Sequence, residues 1–104
     1  MCLYIYYMDI LIPQPNIITV YSKSGCPNCV TIKKLLKEKH LLFEIIDCDE
    51  YILENRDEFV KFMNSITGRE NNVFPMVFDD NKFIGGFSET KKYIETILNF
   101  NYTF

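Results

Sequence analysis

The sequence predicts one α/β domain, with a four-stranded mixed sheet and about three helices in the order β-α-β-α-β-β-α. Short apolar runs rich in β-branched residues alternate with amphipathic helical patterns. The first two runs flank a helix, which requires a right-handed crossover and parallel strands. The last two runs are separated by a tight turn, which predicts an antiparallel hairpin.

The first half of the domain is predicted to be strand, helix, strand. Ile17–Tyr21 is a short β-branched and aromatic run typical of a buried strand. A helix is expected to begin near Pro27, because proline is favoured in the first helical turn, and to run to about Lys39. Leu41–Ile46 is the second predicted strand, and a polar loop over 47–50 is expected after it.

The second half supplies a helix, a hairpin and a last helix. Asp57–Thr67 has an apolar stripe at helical spacing, and an additional earlier turn over 51–53 remains open. Phe74–Phe78 and Lys82–Ile84 are the predicted arms of the hairpin. Ser88 is expected to cap a final helix that ends near residue 99.

The beginning of the chain is predicted to be an extension (residues 1–15) before the domain proper (16–104). Pro13 and Pro15 separate the two parts. The apolar stretch over 1–12 is too short to span a bilayer and lacks a basic leader, so neither a membrane anchor nor a signal peptide is expected.

Composition narrows the class of protein. The chain has 104 residues, a net charge of −3, 48% hydrophobic residues and 24% charged residues, the balance of an ordinary soluble domain. No basic footprint is present, so a nucleic-acid partner is not expected. Four cysteines among abundant core residues fit a reducing compartment better than a disulfide scaffold, which favours a cytoplasmic location.

The chemistry is predicted to lie in Cys26-Pro27-Asn28-Cys29. Cys26 directly precedes a helix, so its sulfur can face unpaired N–H groups that stabilise a thiolate, and Lys23 adds positive potential. We therefore expect Cys26 to be the nucleophile, with a lowered pKa. Cys29, one turn along the same face, is expected to be the recessed, resolving thiol.

Two other interpretations of the pair remain open: half of a zinc site, and inert buried cysteines. Zinc requires two more ligands, and the cysteine and histidine candidates, Cys2, Cys48 and His40, are scattered along the chain. Redox chemistry is favoured because the pair follows a strand and opens a helix inside a strand–helix–strand unit. No metal site is expected.

At this point the chain resembles the glutaredoxin family of the thioredoxin-like fold, over about Ile17–Asn99. Four blocks carry the resemblance, in matching order and spacing. They are the run from Ile17 to Lys23 leading into the cysteine pair, Ile46-Asp47, Val73-Phe74-Pro75, and Gly85-Gly86-Phe87-Ser88-Glu89.

The resemblance implies a site for glutathione, or a glutathionylated protein, beside Cys26. Lys23 matches a lysine that faces the glycine carboxylate of glutathione. Pro75 matches a cis-proline that exposes the main chain of Phe74 to the cysteine unit of the ligand. The remaining implied contacts lie at the last helix: close approach at Gly86, backbone N–H groups of Phe87 and Ser88 for the γ-glutamyl carboxylate, and Glu89 for the ligand amine.

The chain departs from the family pattern at several positions. Asn28 replaces an aromatic residue, and the loop over 69–72 is about two residues longer than usual. Val60 falls where a glutamine or arginine often contacts the glycine carboxylate, and Arg69 or Lys61 is a candidate replacement.

The predicted function is reduction of protein disulfides or glutathione mixed disulfides by a monomeric enzyme that takes its electrons from glutathione. Two alternatives stay open. One is a redoxin of the same chemistry that is reduced by thioredoxin reductase. The other is a protein that bridges a two-iron cluster between subunits through glutathione and the first cysteine.

Overall fold

The computed structural model describes residues 10–102, with side chains described through residue 97. Four strands and three helices follow one another in the predicted order, and the predicted thioredoxin-like α/β fold is confirmed. They are β1 (Ile18–Ser22), α1 (Pro27–Glu38), β2 (Phe43–Asp47), α2 (Asp49–Thr67), β3 (Met76–Asp79), β4 (Lys82–Gly85) and α3 (Phe87–Tyr102).

The strands form one mixed sheet in the order β2-β1-β3-β4. β1 pairs in parallel with β2 and antiparallel with β3, and β3 pairs antiparallel with β4. Tyr21 lies opposite Met76, so the loop that follows β1 and the turn that precedes β3 leave the sheet at the same edge. This register brings the cysteine loop and the Phe74–Pro75 turn to one end of the molecule.

Two apolar cores lie against the sheet. All five residues of β1 are buried, as expected for a central strand covered on both faces. One core joins the sheet to α2, and the other joins it to α1 and α3. The first contains Tyr21, Ile46, Cys48, Phe59, Met63, Met76 and Phe78, and the second contains Ile18, Val20, Ile32, Leu36, Val77 and Ile94.

The largest difference from the predicted boundaries is at the start of α2. The helix begins at Asp49 rather than Asp57, so the loop expected over 47–50 is wrong beyond Cys48. Asn55 has non-helical angles, and its Oδ1 accepts a hydrogen bond from the N–H of Glu58 at 3.1 Å. Asn55 therefore acts as an N-cap inside the element and divides α2 into two helical segments joined at a kink.

The predicted edges of the last elements are also corrected. β3 begins at Met76, two residues after its predicted start, and the Phe74–Pro75 peptide bond directly before it is cis. Ser88 is not an N-cap: α3 begins at Phe87. The Glu89 carboxylate accepts a hydrogen bond from the N–H of Gly86 at 2.9 Å, the backward half of a capping box.

The described part of the predicted extension lies over the α2 side of the sheet. The Tyr21 hydroxyl donates a hydrogen bond to the carbonyl of Leu11 at 2.6 Å, and Ile10 packs against the same core. Residues 1–9, which include Cys2, lie outside the described residues, and the boundary at residue 15 stays a prediction. Among the described helices, none is long and apolar enough to cross a membrane.

Candidate active site

Cys26 and Cys29 form a disulfide across the first turn of α1, with their Cα atoms 5.3 Å apart. Cys26 is the N-cap residue and has extended backbone angles (φ −120°, ψ 96°), and Pro27 follows at the first helical position. The backbone N–H of Cys29 lies 3.1 Å from the Cys26 sulfur and donates to it. The sulfur thus takes the place that an oxygen takes in most helix caps.

The two sulfur-bearing residues differ in access to solvent. Cys29 is only 1% exposed, whereas Cys26 is partly exposed. An anion at the Cys26 sulfur faces the N-terminal end of α1, where unpaired N–H groups and the helix dipole favour negative charge. This arrangement is the one that the sequence predicts for an attacking and a resolving thiol.

The loop before Cys26 is tied to α2 by Asp49, a residue that the sequence analysis missed. The Asp49 carboxylate accepts a hydrogen bond from the backbone N–H of Ser24 at 2.9 Å and another from the Ser24 hydroxyl. These bonds, and the nearby charge of Lys23, hold the pKa of Asp49 below its usual range. An acidic residue in the first turn of a helix is a common feature, so no local signal identified Ser24 as its partner.

Lys23 and Phe74, which the resemblance assigns to the glycine and cysteine units of glutathione, lie together. The Lys23 ammonium nitrogen is 5.5 Å from the centre of the Phe74 ring, within cation–π range. The ring of Phe74 in turn stacks on that of Phe59 in α2, with centroids 6.0 Å apart. The aromatic stack therefore gives Lys23 a fixed neighbour at the edge of the sheet.

Pro75 and the double glycine also meet. A Cβ added to Gly86 would lie 3.7 Å from the carbonyl oxygen of Pro75, which is ordinary contact, so Gly86 is beside the proline but does not require glycine for space. Gly85 does: its φ is +141°, and a Cβ there would overlap the Glu89 side chain. The need for glycine thus lies one residue before the position singled out from the sequence.

Glu89 is already engaged by the protein itself. Besides the Gly86 N–H, its carboxylate accepts a hydrogen bond from the guanidinium of Arg69 at 3.0 Å. Both contacts lower its pKa, the Gly86 bond most. Arg69 also lies over the Phe83 ring, 5.0 Å from its centre. Arg69 therefore lies at the Glu89 end of the site, and its candidate role at the glycine carboxylate stays a prediction.

A groove of about 740 Å³ opens between the kinked α2 and the loop that leads to β3, and we call it the α2 groove. Lys23 and Phe74 lie at its border, so it is continuous with the residues just described. Lys61, the other candidate replacement, is not among its lining residues. The lining is Lys23, Asp49, Ile52, Leu53, Arg56, Phe59, Val60, Met63, Asn64, Phe74, Met76 and residues 70–73.

Cys48 is a third cysteine near this end of the sheet but is unsuited to the chemistry. It is fully buried at the end of β2, and burial is the main cause that raises its pKa to about 12. A buried thiol of this kind is a poor nucleophile at neutral pH. Over residues 10–97, no three histidine, cysteine or carboxylate side chains are grouped so as to hold a metal ion.

Comparison with known proteins decides the family. The glutaredoxin family model matches residues 18–84 of this chain. The chain belongs to the glutaredoxin family. It is 33% identical over 69 residues to glutaredoxin 1 of Rickettsia typhi, an alignment that covers 66% of this chain and 62% of that protein. It is 27% identical over 77 residues to human mitochondrial glutaredoxin-2, covering 74% of this chain and 44% of that protein.

Solved glutaredoxin structures have the same fold. Glutaredoxin 1 of Francisella tularensis, solved in complex with cacodylate, superposes with a TM-score of 0.67 at 32% identity, covering 79% of this chain and 95% of that one. A buckwheat glutaredoxin–glutathione complex superposes with a TM-score of 0.61 at 28% identity, covering 78% and 71%. The family uses glutathione, and the second of these structures contains it.

Proposed function

We propose that this glutaredoxin is a dithiol thiol–disulfide oxidoreductase that reduces protein disulfides or glutathione mixed disulfides with electrons from glutathione. The observation that carries the proposal is that the two sulfurs of the disulfide at the start of α1 differ in their exposure to solvent. Cys26 is partly exposed as the N-cap of α1, and Cys29 is buried in the turn behind it. A substrate can therefore reach the first sulfur and not the second.

The reaction uses the two thiols in sequence. The Cys26 thiolate attacks one sulfur of the substrate disulfide, a Cys26–substrate bond forms, and the other substrate sulfur leaves as a thiolate that takes up a proton. The Cys29 thiolate then attacks the Cys26 sulfur and displaces the second substrate thiolate. The substrate has gained two electrons, and the enzyme is left with the Cys26–Cys29 disulfide.

Glutathione completes the cycle. One glutathione thiolate attacks the Cys26 sulfur and Cys29 leaves as a thiol, so that a Cys26–glutathione disulfide forms. A second glutathione thiolate attacks the glutathione sulfur of that bond. Glutathione disulfide is released, and Cys26 returns to the thiolate. Each turnover consumes two glutathione molecules and transfers two electrons.

The charges around the pair support glutathione as the reductant. Lys23 places an exposed ammonium group at one side of the predicted site. The first turn of α3 supplies the N–H groups of Phe87 and Ser88, which have no partner within the helix and suit a carboxylate. Glutathione carries a carboxylate at each end, and its complex with the buckwheat relative supports the same partner here.

The test couples reduction of two substrates to glutathione, glutathione reductase and NADPH. We expect turnover of hydroxyethyl disulfide and of a protein disulfide by the natural chain. Cys26→Ser loses both activities, whereas Cys29→Ser keeps turnover of hydroxyethyl disulfide, which proceeds through its mixed disulfide with glutathione, and loses protein-disulfide reduction. Retained activity in Cys26→Ser would contradict the assignment. Turnover with thioredoxin reductase alone would replace glutathione as the electron donor.

A further inference from the structure

We propose that the α2 groove binds the residues that follow the reactive cysteine of a protein disulfide, and that it favours an apolar residue followed by an acidic one. The proposal rests on the proposed function, because it concerns the substrate that Cys26 attacks. It assigns a partner surface to the part of the groove that continues beyond the position predicted for the glycine of glutathione.

The direction of the bound chain comes from the two ends of the glutathione site. The γ-glutamyl end, which precedes the ligand cysteine, is assigned to the start of α3 (Phe87–Glu89). The glycine end, which follows it, is assigned to Lys23. Lys23 and Phe74 both border the α2 groove. A polypeptide placed like glutathione and continued beyond its glycine position therefore enters the groove.

The groove presents apolar side chains that the fold itself leaves uncovered. Leu53, Val60 and Val73 all line it and are 86%, 43% and 71% exposed. An exposed apolar patch that is surrounded by polar residues marks a binding site more often than scattered single apolar side chains do. The volume of about 740 Å³ is ample for apolar side chains after the cysteine.

The charges of the groove favour an acidic residue next to the apolar one. Arg56 and Lys23 both lie in the lining, and over residues 10–97 neither has a carboxylate within ion-pair distance. The lining also holds two carboxylates, neither of which pairs with Arg56: Asp49 is bound by Ser24, and Glu70 lies on the loop opposite α2. A substrate carboxylate beside Arg56 therefore meets a guanidinium that has no carboxylate partner among the described residues.

The test compares symmetrical disulfides of short peptides, so that either sulfur attacked belongs to the peptide. The probes are acetyl-Gly-Cys-Val-Glu-amide, its lysine counterpart acetyl-Gly-Cys-Val-Lys-amide, and the two sequences with the residues placed before the cysteine instead. We expect kcat/KM to favour the glutamate peptide over the lysine peptide by about three- to tenfold at low salt, in line with one exposed charge contact of each sign. The preference should vanish when the same residues precede the cysteine.

Variants locate the preference. Arg56→Glu should bring the glutamate-to-lysine ratio to one or below. Lys34→Glu, an equal charge reversal at an exposed position of α1 outside the groove, should leave the ratio near that of the natural chain. The measured quantity is the ratio of kcat/KM for the two peptides with the same protein. A general loss of folded or active enzyme lowers both values equally and leaves this ratio unchanged.

A second pair of variants tests the predicted preference for an apolar residue directly after the substrate cysteine. A further probe, acetyl-Gly-Cys-Gly-Glu-amide, lacks the apolar side chain. Val60→Ser should reduce the preference for the Cys-Val-Glu peptide over this probe, whereas Leu42→Ser, at an exposed position outside the groove, should not. Equal kcat/KM for the glutamate and lysine peptides, or a preference that survives Arg56→Glu, would overturn the proposal. If hydroxyethyl disulfide is reduced but no peptide is, the groove proposal also fails. If neither is reduced, it is the proposed function that fails.

Discussion

The Asp49 carboxylate accepts hydrogen bonds from both the backbone N–H and the hydroxyl of Ser24, across 25 positions of sequence. These two bonds join the first turn of α2 to the loop that ends at Cys26. Ser24 is exposed, and its two bonds to Asp49 attach the loop to α2. We infer that Asp49 is a positioning residue for Lys23 and Cys26.

Asp49→Asn should weaken this attachment and raise KM for glutathione more than it lowers kcat, because Lys23 then loses its fixed placement. The change should be a few-fold, since the contact lies at the surface, with Ser24 exposed and Asp49 partly buried, and a surface charged contact contributes little. Steady-state kinetics measures the split. Glu50→Gln is the matched control: it removes an acidic group from the same helical turn, and Glu50 is not a partner of Ser24.

The same residue predicts a pH dependence of stability. The pKa of Asp49 is lower in the folded protein than in the unfolded chain, so its contribution is present above the unfolded pKa and is lost as the pH falls through the folded one. The difference in unfolding midpoint between the natural chain and Asp49→Asn should therefore shrink between about pH 5 and pH 2. Thermal unfolding across this range checks it, and a constant difference would contradict the assignment.

Arg69 predicts a substitution that improves binding. Its guanidinium occupies the Glu89 carboxylate that the resemblance assigns to the ligand amine. Arg69→Gln should lower KM for glutathione by up to about fivefold, because the displaced contact is exposed and such pairs contribute about 0.2–1 kcal/mol.

The dependence of KM on salt concentration distinguishes this effect on glutathione binding from an effect of the substitution on folding. The advantage of Arg69→Gln should decrease from 20 mM to 500 mM salt as the ionic contacts are screened. Lys91→Gln serves as the control for loss of one positive charge near α3. A KM that rises in Arg69→Gln would show that Arg69 helps to bind glutathione instead of competing with it.

Cys48 should stay unmodified in the folded protein. With its pKa raised to about 12 by burial, almost no thiolate is present at pH 8. In a Cys2→Ser background, we expect iodoacetamide to label Cys26 of the reduced protein quickly and Cys48 only after unfolding in denaturant. Mass spectrometry of the labelled peptides distinguishes the sites. Rapid labelling of Cys48 under native conditions would contradict its burial.

Tyr93 and Asp79 form a side-chain hydrogen bond of 2.5 Å between α3 and the end of β3. This bond is the first cause of the rise of the Tyr93 pKa to about 12. Tyr93→Phe should lower the free energy of unfolding by about 1 kcal/mol, the usual net contribution of one hydrogen bond. It should also remove from the alkaline tyrosine absorbance change the component whose pKa the Asp79 hydrogen bond raises to about 12. Urea unfolding and alkaline titration measure the two effects, and Thr96→Val tests an exposed position of α3 for comparison.

The order of elements and the place of the cysteine pair were determined by the sequence alone. Apolar periodicity and turn residues are local signals, so the seven elements appeared in the right order, and Pro27 located the start of α1 at once. The sequence also led to the glutaredoxin family, which the family match over residues 18–84 confirms.

The tertiary structure decided what the polar side chains contact. Asp49 with Ser24 and Arg69 with Glu89 are separated by 25 and 20 positions, and no periodic pattern encodes such pairs. The early start of α2 was obscured because Asn55 interrupts the helical pattern with a second cap. Local chemistry fixes where the reactive cysteines stand, whereas the charges and the groove around them depend on how distant segments pack.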